Sequence, residues 1–285
     1  MKRKIKQLIT AVCCLAIISC KSDDDSTPTT SPPATGGNTQ SFTIVANNDG
    51  VLPHYTKKIV VFGIPIYAVT AFEDAKLTHT ANLMAQYLDN NEDGVIDNQL
   101  VVDKMIEKKA FMVLWKLESD LNINPPSGWE GQDLGNDETN PSFVANGRTG
   151  DYDAALEEVL HIITHVGYAG VYPTVFGEQI GTQIANAMDV ARGGQFTTIP
   201  NPYPAGAWYS YDDMTCDYSC MVTEYHYWAL TSILGSQENR LADIQQEWQL
   251  NTTAKVQQTD SLVYSLLTDS QYKFPTVLPD GTYRK

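Results

Sequence analysis

Apolar and polar positions change period once along this chain, and the change divides it into two halves. From Phe42 to Thr70 they alternate or run apolar, as in Ile59-Val60-Val61-Phe62 and Ile64-Pro65-Ile66-Tyr67-Ala68-Val69. This predicts strands over 42–46 and 58–70, with a hairpin turning near Gly63. From Phe72 to Leu88 the period lengthens, and Leu77, Thr80, Ala81, Met84 and Leu88 share one helical face. A polar loop over 89–97 leads into a second helix over 99–109, and Phe111–Trp115 is a short buried strand. Residues 122–150 are rich in Asn, Gly, Pro and Asp and read as loop, with one short strand at 142–145. Thereafter the pattern is helical: 151–168 (capped by Asp151 or Asp153), 178–192, 220–234, 237–250 and 260–267, broken by a Pro- and Tyr-rich loop at 194–218. Strands first and helices later define an α+β fold.

The N-terminus carries an address. Lys2, Arg3, Lys4 and Lys6 precede an apolar run from Leu8 to Ile18 that is too short to span a bilayer, which takes about 20 residues. The run ends in Ile17-Ile18-Ser19-Cys20. This resembles the bacterial lipobox, which implies cleavage after residue 19 and a lipid on Cys20. The following Lys21-Ser22-Asp23-Asp24-Asp25 resembles the surface-export signal of some Gram-negative lipoproteins. The resemblance places the chain on the bacterial outer membrane, exposed at the cell surface and held only by its lipid. Residues 20–40 lack apolar periodicity and read as a disordered tether. Residues 41–285 show no second linker and no repeat, and read as one globular domain.

Charge narrows the partners. The formal net charge is −15, and removal of the four leader bases leaves the mature chain near −19. Nucleic acid is excluded, because phosphate binding needs basic patches. Cations suit this balance. Once the leader is gone and Cys20 is lipidated, Cys216 and Cys220 remain, and in an oxidising compartment the pair most simply forms a disulfide closing a short loop.

The densest chemistry lies in Glu157-Glu158-Val159-Leu160-His161-Ile162-Ile163-Thr164-His165. At about 100° per residue, Glu157, Glu158, His161 and His165 share one arc of the helix. Glu157 and His165 are about 12 Å apart along the axis, too far for one ion. A metal must take either His161 with His165, or Glu157 with His161.

The segment resembles the active-site helix of the zincin metallopeptidases, H-E-x-x-H, in either of two registers. One keeps both histidines but puts Ile162 where the catalytic glutamate belongs. The other, Glu157-Glu158-x-x-His161, keeps the base as Glu158 and replaces the first histidine by Glu157. The resemblance implies a zincin-like architecture, a zinc ion, and, as in the gluzincin group, a third ligand on a later helix. Glu224 is the best candidate and Glu178 the runner-up. The loop near Tyr203–Tyr211 is then the source of a transition-state donor.

Asp89-Asn90-Asn91-Glu92-Asp93-Gly94-Val95-Ile96-Asp97 resembles an EF-hand or dockerin calcium loop. It implies oxygens from Asp89, Asn91, Asp93, the Val95 carbonyl and Asp97, with a sharp turn at Gly94. The twelfth position is Leu100 in place of the usual glutamate, which lowers the expected affinity into the range of extracellular calcium. Two functions follow as expectations. The first is a surface-anchored, zinc-dependent hydrolase of peptides or proteins with a structural calcium site. The alternative is a non-catalytic, calcium-dependent surface protein that binds glycan or protein through an aromatic platform of Trp208, Tyr209 and Tyr211.

Overall fold

The computed structural model describes residues 42–284; the leader, Cys20 and the tether lie outside the described residues. Five strands form one mixed sheet in the order β1 to β5: β1 (Val45–Ala46), β2 (Lys57–Val61), β3 (Ile64–Ala68), β4 (Phe111–Trp115) and β5 (Gly131–Gly135). β1, β2 and β3 pair antiparallel, while β3, β4 and β5 pair parallel. The hairpin between β2 and β3 turns through Phe62 and Gly63, both at positive φ. Two such residues give the primed turn whose twist matches the strands, and glycine takes its share at no steric cost. β4 is buried on both faces from Phe111 to Leu114, as a parallel central strand requires.

The helices are α1 (Asp74–Leu88), α2 (Gln99–Glu107), α3 (Ala155–Ile162), α4 (Ala169–Val171), α5 (Gln183–Ala191), α6 (Tyr218–Ile233), α7 (Leu241–Ile244), α8 (Thr253–Thr259) and α9 (Ser261–Leu267). α1 and α3 pack against one another and on the sheet, α1 over β2 and β3, α3 over β4 and β5. α6 packs on α3, and α5, α8 and α9 pack on α6. One contiguous apolar core runs through both halves. The α+β reading therefore holds.

Several sequence expectations need correction. The strand expected at 142–145 is a turn, and β5 lies instead at 131–135. Its Gly-Gln-Asp-Leu-Gly sequence has little strand propensity, but a Cβ on Gly131 would stand 2.3 Å from the Phe111 ring. The strand exists because glycine lets that ring lie over it. The helix expected over 237–250 shrinks to the short α7, and α8 occupies a stretch left without an element. The helix expected over 178–192 starts at Gln183, where Thr182 accepts from Ala185 N.

The helix expected over 151–168 starts at Ala155, with Ala154 at its N-cap and no side-chain cap bond there; Asp153, one residue earlier, accepts from Ala155 N through Oδ1 at 3.3 Å. The helix stays α-helical through Ile162 and widens to π-helix over Ile163–Tyr168. Thr164 Oγ1 donates to the Leu160 carbonyl at 3.0 Å, a back-bond that competes with the helical ladder. α2 packs on this widened turn, where a Cβ on Gly167 would stand 2.6 Å from Val101 Cγ1. Gly167→Ala is therefore expected to destabilise the domain by about 1–3 kcal/mol through overpacking. Urea unfolding of the variant against the wild type measures it, and an unchanged midpoint would show that α2 yields freely.

Candidate metal centre

α3 and α6 bring three ligand-bearing side chains together. Glu157 and His161 lie one turn apart on α3, and Glu224 reaches them from α6, with one ligand atom from each within 4.8 Å of the others. His161 Nε2 is 3.7 Å from Glu224 Oε2. His161 and Glu224 are buried, and Glu157 is half-buried. The His161 Nε2 atom is buried yet has no hydrogen-bond partner among the described residues. Unlike the buried, unbonded Nε2 of His226, this nitrogen lies close to carboxylates, and the three side chains form a donor set that could hold a metal ion.

Electrostatics point the same way. Burial, reinforced by the charge of Glu158, raises the Glu157 carboxyl well above the ordinary carboxylate range, against His161, Arg240 and the Tyr227 hydroxyl. Burial raises Glu224 too; His161 opposes this, Glu157 and Glu158 add to it, and the Tyr211 hydroxyl moderates it. The imidazole of His161 meets the Tyr227 ring edge-on at 5.5 Å. Arg240 covers the Tyr152 ring at 3.7 Å and hydrogen-bonds Tyr227, so a cation stands beside Glu157.

Each ligand is held from behind. α3 is tied to α1 by His79 Nε2 and Asp153 Oδ2 at 2.6 Å, both buried. α6 begins at Asp217, whose side chain accepts from Cys220 N at 2.9 Å, and the Cys216–Cys220 disulfide closes the same turn. The Tyr-rich loop is pinned by Ser210 N to the Glu247 carbonyl at 2.8 Å and by Tyr209 OH to the Met221 carbonyl at 2.8 Å. That pinning sets Tyr211 on Glu224.

Of the two sequence registers, the structure assembles the one that pairs Glu157 with His161. His165 does not join them. Its Nδ1 meets Glu178 Oε2 at 2.6 Å, and its side chain is 47% exposed. The physical reason is axial, since the triangle closes on the N-terminal side of His161, about two turns from His165. Glu178, the runner-up third ligand, is taken by His165, Ser219 and Thr223. Glu158 stands beside the triangle. Its Oε2 is 3.7 Å from His161 Nδ1, too long for a hydrogen bond, and the Gln132 amide on β5 donates to it. His226, two residues past Glu224, stacks on Phe176 and meets Phe274 edge-on, and burial pushes its imidazole down to about 3, so it is neutral.

The aromatic platform does not form. Tyr209 and Tyr211 are buried, and Trp208 Nε1 donates inward to Asp260 Oδ2 at 2.8 Å. Sequence reasoning missed Gln132, Tyr227 and Arg240. Tyr227 had a signal, since it sits three residues after Glu224 on the same helix; Arg240 and Gln132 had none.

The 89–97 loop joins α1 to α2 as its resemblance implies, with Gly94 at φ +85°. Asp89 is buried and accepts from Gly94 N at 2.8 Å and from the Tyr283 hydroxyl, Asp93 accepts from Val95 N at 2.8 Å, and Asp97 accepts from Asn90 N at 2.7 Å. Among the described residues, Glu157, His161 and Glu224 are the group of three such side chains whose ligand atoms converge; those of Asp89, Asp93 and Asp97 do not. No family model, no curated protein and no solved structure matches this chain.

The raised carboxyls set a pH dependence with a definite sign. A metal-free folded chain holds protons on Glu157 and Glu224 that the unfolded chain has released, so its stability falls as pH rises from the ordinary carboxylate range to neutrality. Between about pH 5 and pH 8 the metal-free melting temperature should fall, and fall less in Glu157→Gln, which has no charge to bury. Equal slopes in the two proteins would remove Glu157 from the buried cluster.

Proposed function

We propose that this chain is a surface-anchored lipoprotein whose domain is a metal-dependent hydrolase, with zinc held by Glu157, His161 and Glu224 and with peptides or proteins as substrates. The observation that carries the reading is the buried, unbonded His161 Nε2 facing carboxylates from two helices. Charge supports it. With all three carboxyls ionised, Glu157, Glu158 and Glu224 against Arg240 leave two negative charges, which a divalent ion cancels in place of the protons. One imidazole and two carboxylates are a legitimate zinc set with room for water.

A zinc ion here would polarise a water and lower its pKa towards 7. Glu158, beside the triangle and outside it, is placed to take the proton of that water and pass it to the leaving amine. Gln132 holds that carboxylate from the edge strand β5. Arg240 and the hydroxyls of Tyr211 and Tyr227 supply donors for charge developing on a substrate oxygen. The loop at 89–97 is proposed as a calcium staple between α1 and α2.

Metal analysis tests the centre. The wild type should carry one transition ion per chain, His161→Ala and Glu224→Ala should lose it, and His165→Ala should keep it. Glu158→Gln should keep the ion and lose about 100-fold or more of peptide cleavage on casein or a peptide library. A wild type without transition metal sinks the hydrolase. Loss of metal in Glu158→Gln would make that residue a support of His161 instead of a base.

Calcium is read separately by melting temperature. Millimolar calcium should raise it, chelation should reverse the rise, and Asp93→Ala should abolish the response. A wild-type melting temperature indifferent to chelator would end the calcium assignment.

A further inference from the structure

A surface cleft of about 410 Å³ opens on the far side of His165, lined by Lys108, Glu130, His165, Glu178, Gln179 and Ser219 over a floor of small residues. None of Glu157, His161 and Glu224 lines it. Its polar groups are built in two parts. The first is a closed pair: His165 Nδ1 meets Glu178 Oε2 at 2.6 Å. The same carboxylate accepts from Ser219 Oγ at 2.8 Å and from Thr223 Oγ1 at 2.6 Å. Burial works to raise Glu178, but His165 and the two hydroxyls outweigh it and hold the carboxyl below its ordinary value. The ring is thereby fixed in orientation, and Nε2 is left without a hydrogen-bond partner among the described residues.

The second part is a pair of opposite charges that do not meet. Lys108 and Glu130 line the same cleft, yet neither side chain forms an ion pair or hydrogen bond with any described residue. The cleft therefore offers a cation and a carboxylate, neither of them spent on an ion pair within the described residues, with Glu130 also acting at a distance on His165. A lone anion would be repelled by Glu130 and a lone cation by Lys108. A ligand carrying both signs satisfies both, and His165, whose protonated form burial opposes but Glu178 and Glu130 favour, adds an Nε2–H donor to its anionic end when it is an imidazolium. The volume is that of a ligand of one or two amino-acid residues, and the small floor offers a flat apolar contact.

We infer that this cleft is a binding site for a small zwitterion with free amino and carboxyl ends, a dipeptide or an amino acid, with Lys108 and His165 taking the carboxylate and Glu130 the ammonium. The site is independent of the metal centre, and its test needs no metal.

The test is titration of the full-length protein with Ala-Ala, read by calorimetry and by the NMR resonances of the His165 ring. Ala-Ala should bind and shift the ring. N-acetyl-Ala-Ala, which lacks the ammonium, and Ala-Ala-amide, which lacks the carboxylate, should each bind at least about tenfold more weakly. Glu130→Gln should erase the preference over the acetylated analogue, and Lys108→Ala the preference over the amide. Lys108 is exposed, and the half-buried Glu130 side chain has no hydrogen-bond partner among the described residues, so neither variant breaks a bond within the fold. No binding of Ala-Ala, or equal binding of all three probes, overturns the inference. A preference unaltered in both variants would overturn it as well.

Discussion

Two carboxylates set against one imidazole, Glu224 buried and Glu157 half-buried, form the constraint around which this domain is arranged. Glu157 and Glu224 come from helices far apart in sequence, and their carboxyls meet where α3 packs on α6, beside the edge-on contact of His161 with Tyr227. Like charges in a low-dielectric interior repel strongly, so the two helices can be this close only if protons or a cation occupy the space between them. Both carboxyls are raised accordingly. A core made only for stability would have apolar side chains at these positions, because a well-packed apolar contact is as stabilising as a buried ionic one and less costly to form. The cluster is thus a local violation of the packing rules that surround it. Such violations are where function is expected.

The remaining architecture holds that violation in place. The sheet fixes α3 through β5, whose Gln132 reaches Glu158, and β5 can lie there only because Gly131 and Gly135 leave room for the Phe111 and Trp115 rings. α1 fixes the start of α3 through the buried His79–Asp153 pair. α6 is fixed at its first turn by the Asp217 cap and the disulfide, and along its length by the pinned loop that carries Tyr209 and Tyr211. The C-terminal segment closes over the other end of α1, with Asn90 Oδ1 accepting from Thr276 N and Val277 N and with Tyr283 on Asp89. The 89–97 loop is therefore a junction between α1, α2 and the chain end.

What was legible in the sequence follows from which forces are local. The β2–β3 hairpin and β4 announced themselves through alternation and a turn glycine, because both depend on nearby residues. α1 did so through its apolar stripe. β5 was illegible, because its stability comes from two rings contributed by the neighbouring strand and its own composition argues against a strand. The helix after Ser236 was over-read, since an apolar period persists there while the backbone is taken up by turns such as Gln237 to Arg240 and by the bridge between Tyr209 and Trp248. At the site, axial arithmetic on one helix was enough to reduce four candidate ligands to one of two pairs. Choosing between the pairs required the position of Glu224, which no local pattern contains.

His161 and His165 show why spacing alone does not assign chemistry. They are four residues apart on one helix, the usual separation for joint ligation. The helix stays buried on both sides of His165, but the ladder widens to π geometry after Ile162, and the His165 side chain alone comes out to solvent. His161 stays inside, edge-on to Tyr227, with one nitrogen facing carboxylates and bonded to nothing. His165 emerges into a cleft with its Nδ1 bound to a buried carboxylate. A buried imidazole nitrogen that faces carboxylates can share a cation with them, which the equally orphaned but ring-packed Nε2 of His226 cannot, whereas an imidazole already paired on one side and wet on the other is suited to donate or accept a single proton or hydrogen bond. One helix thus carries the same residue, four positions apart, into two different environments, and the environment decides what each can do.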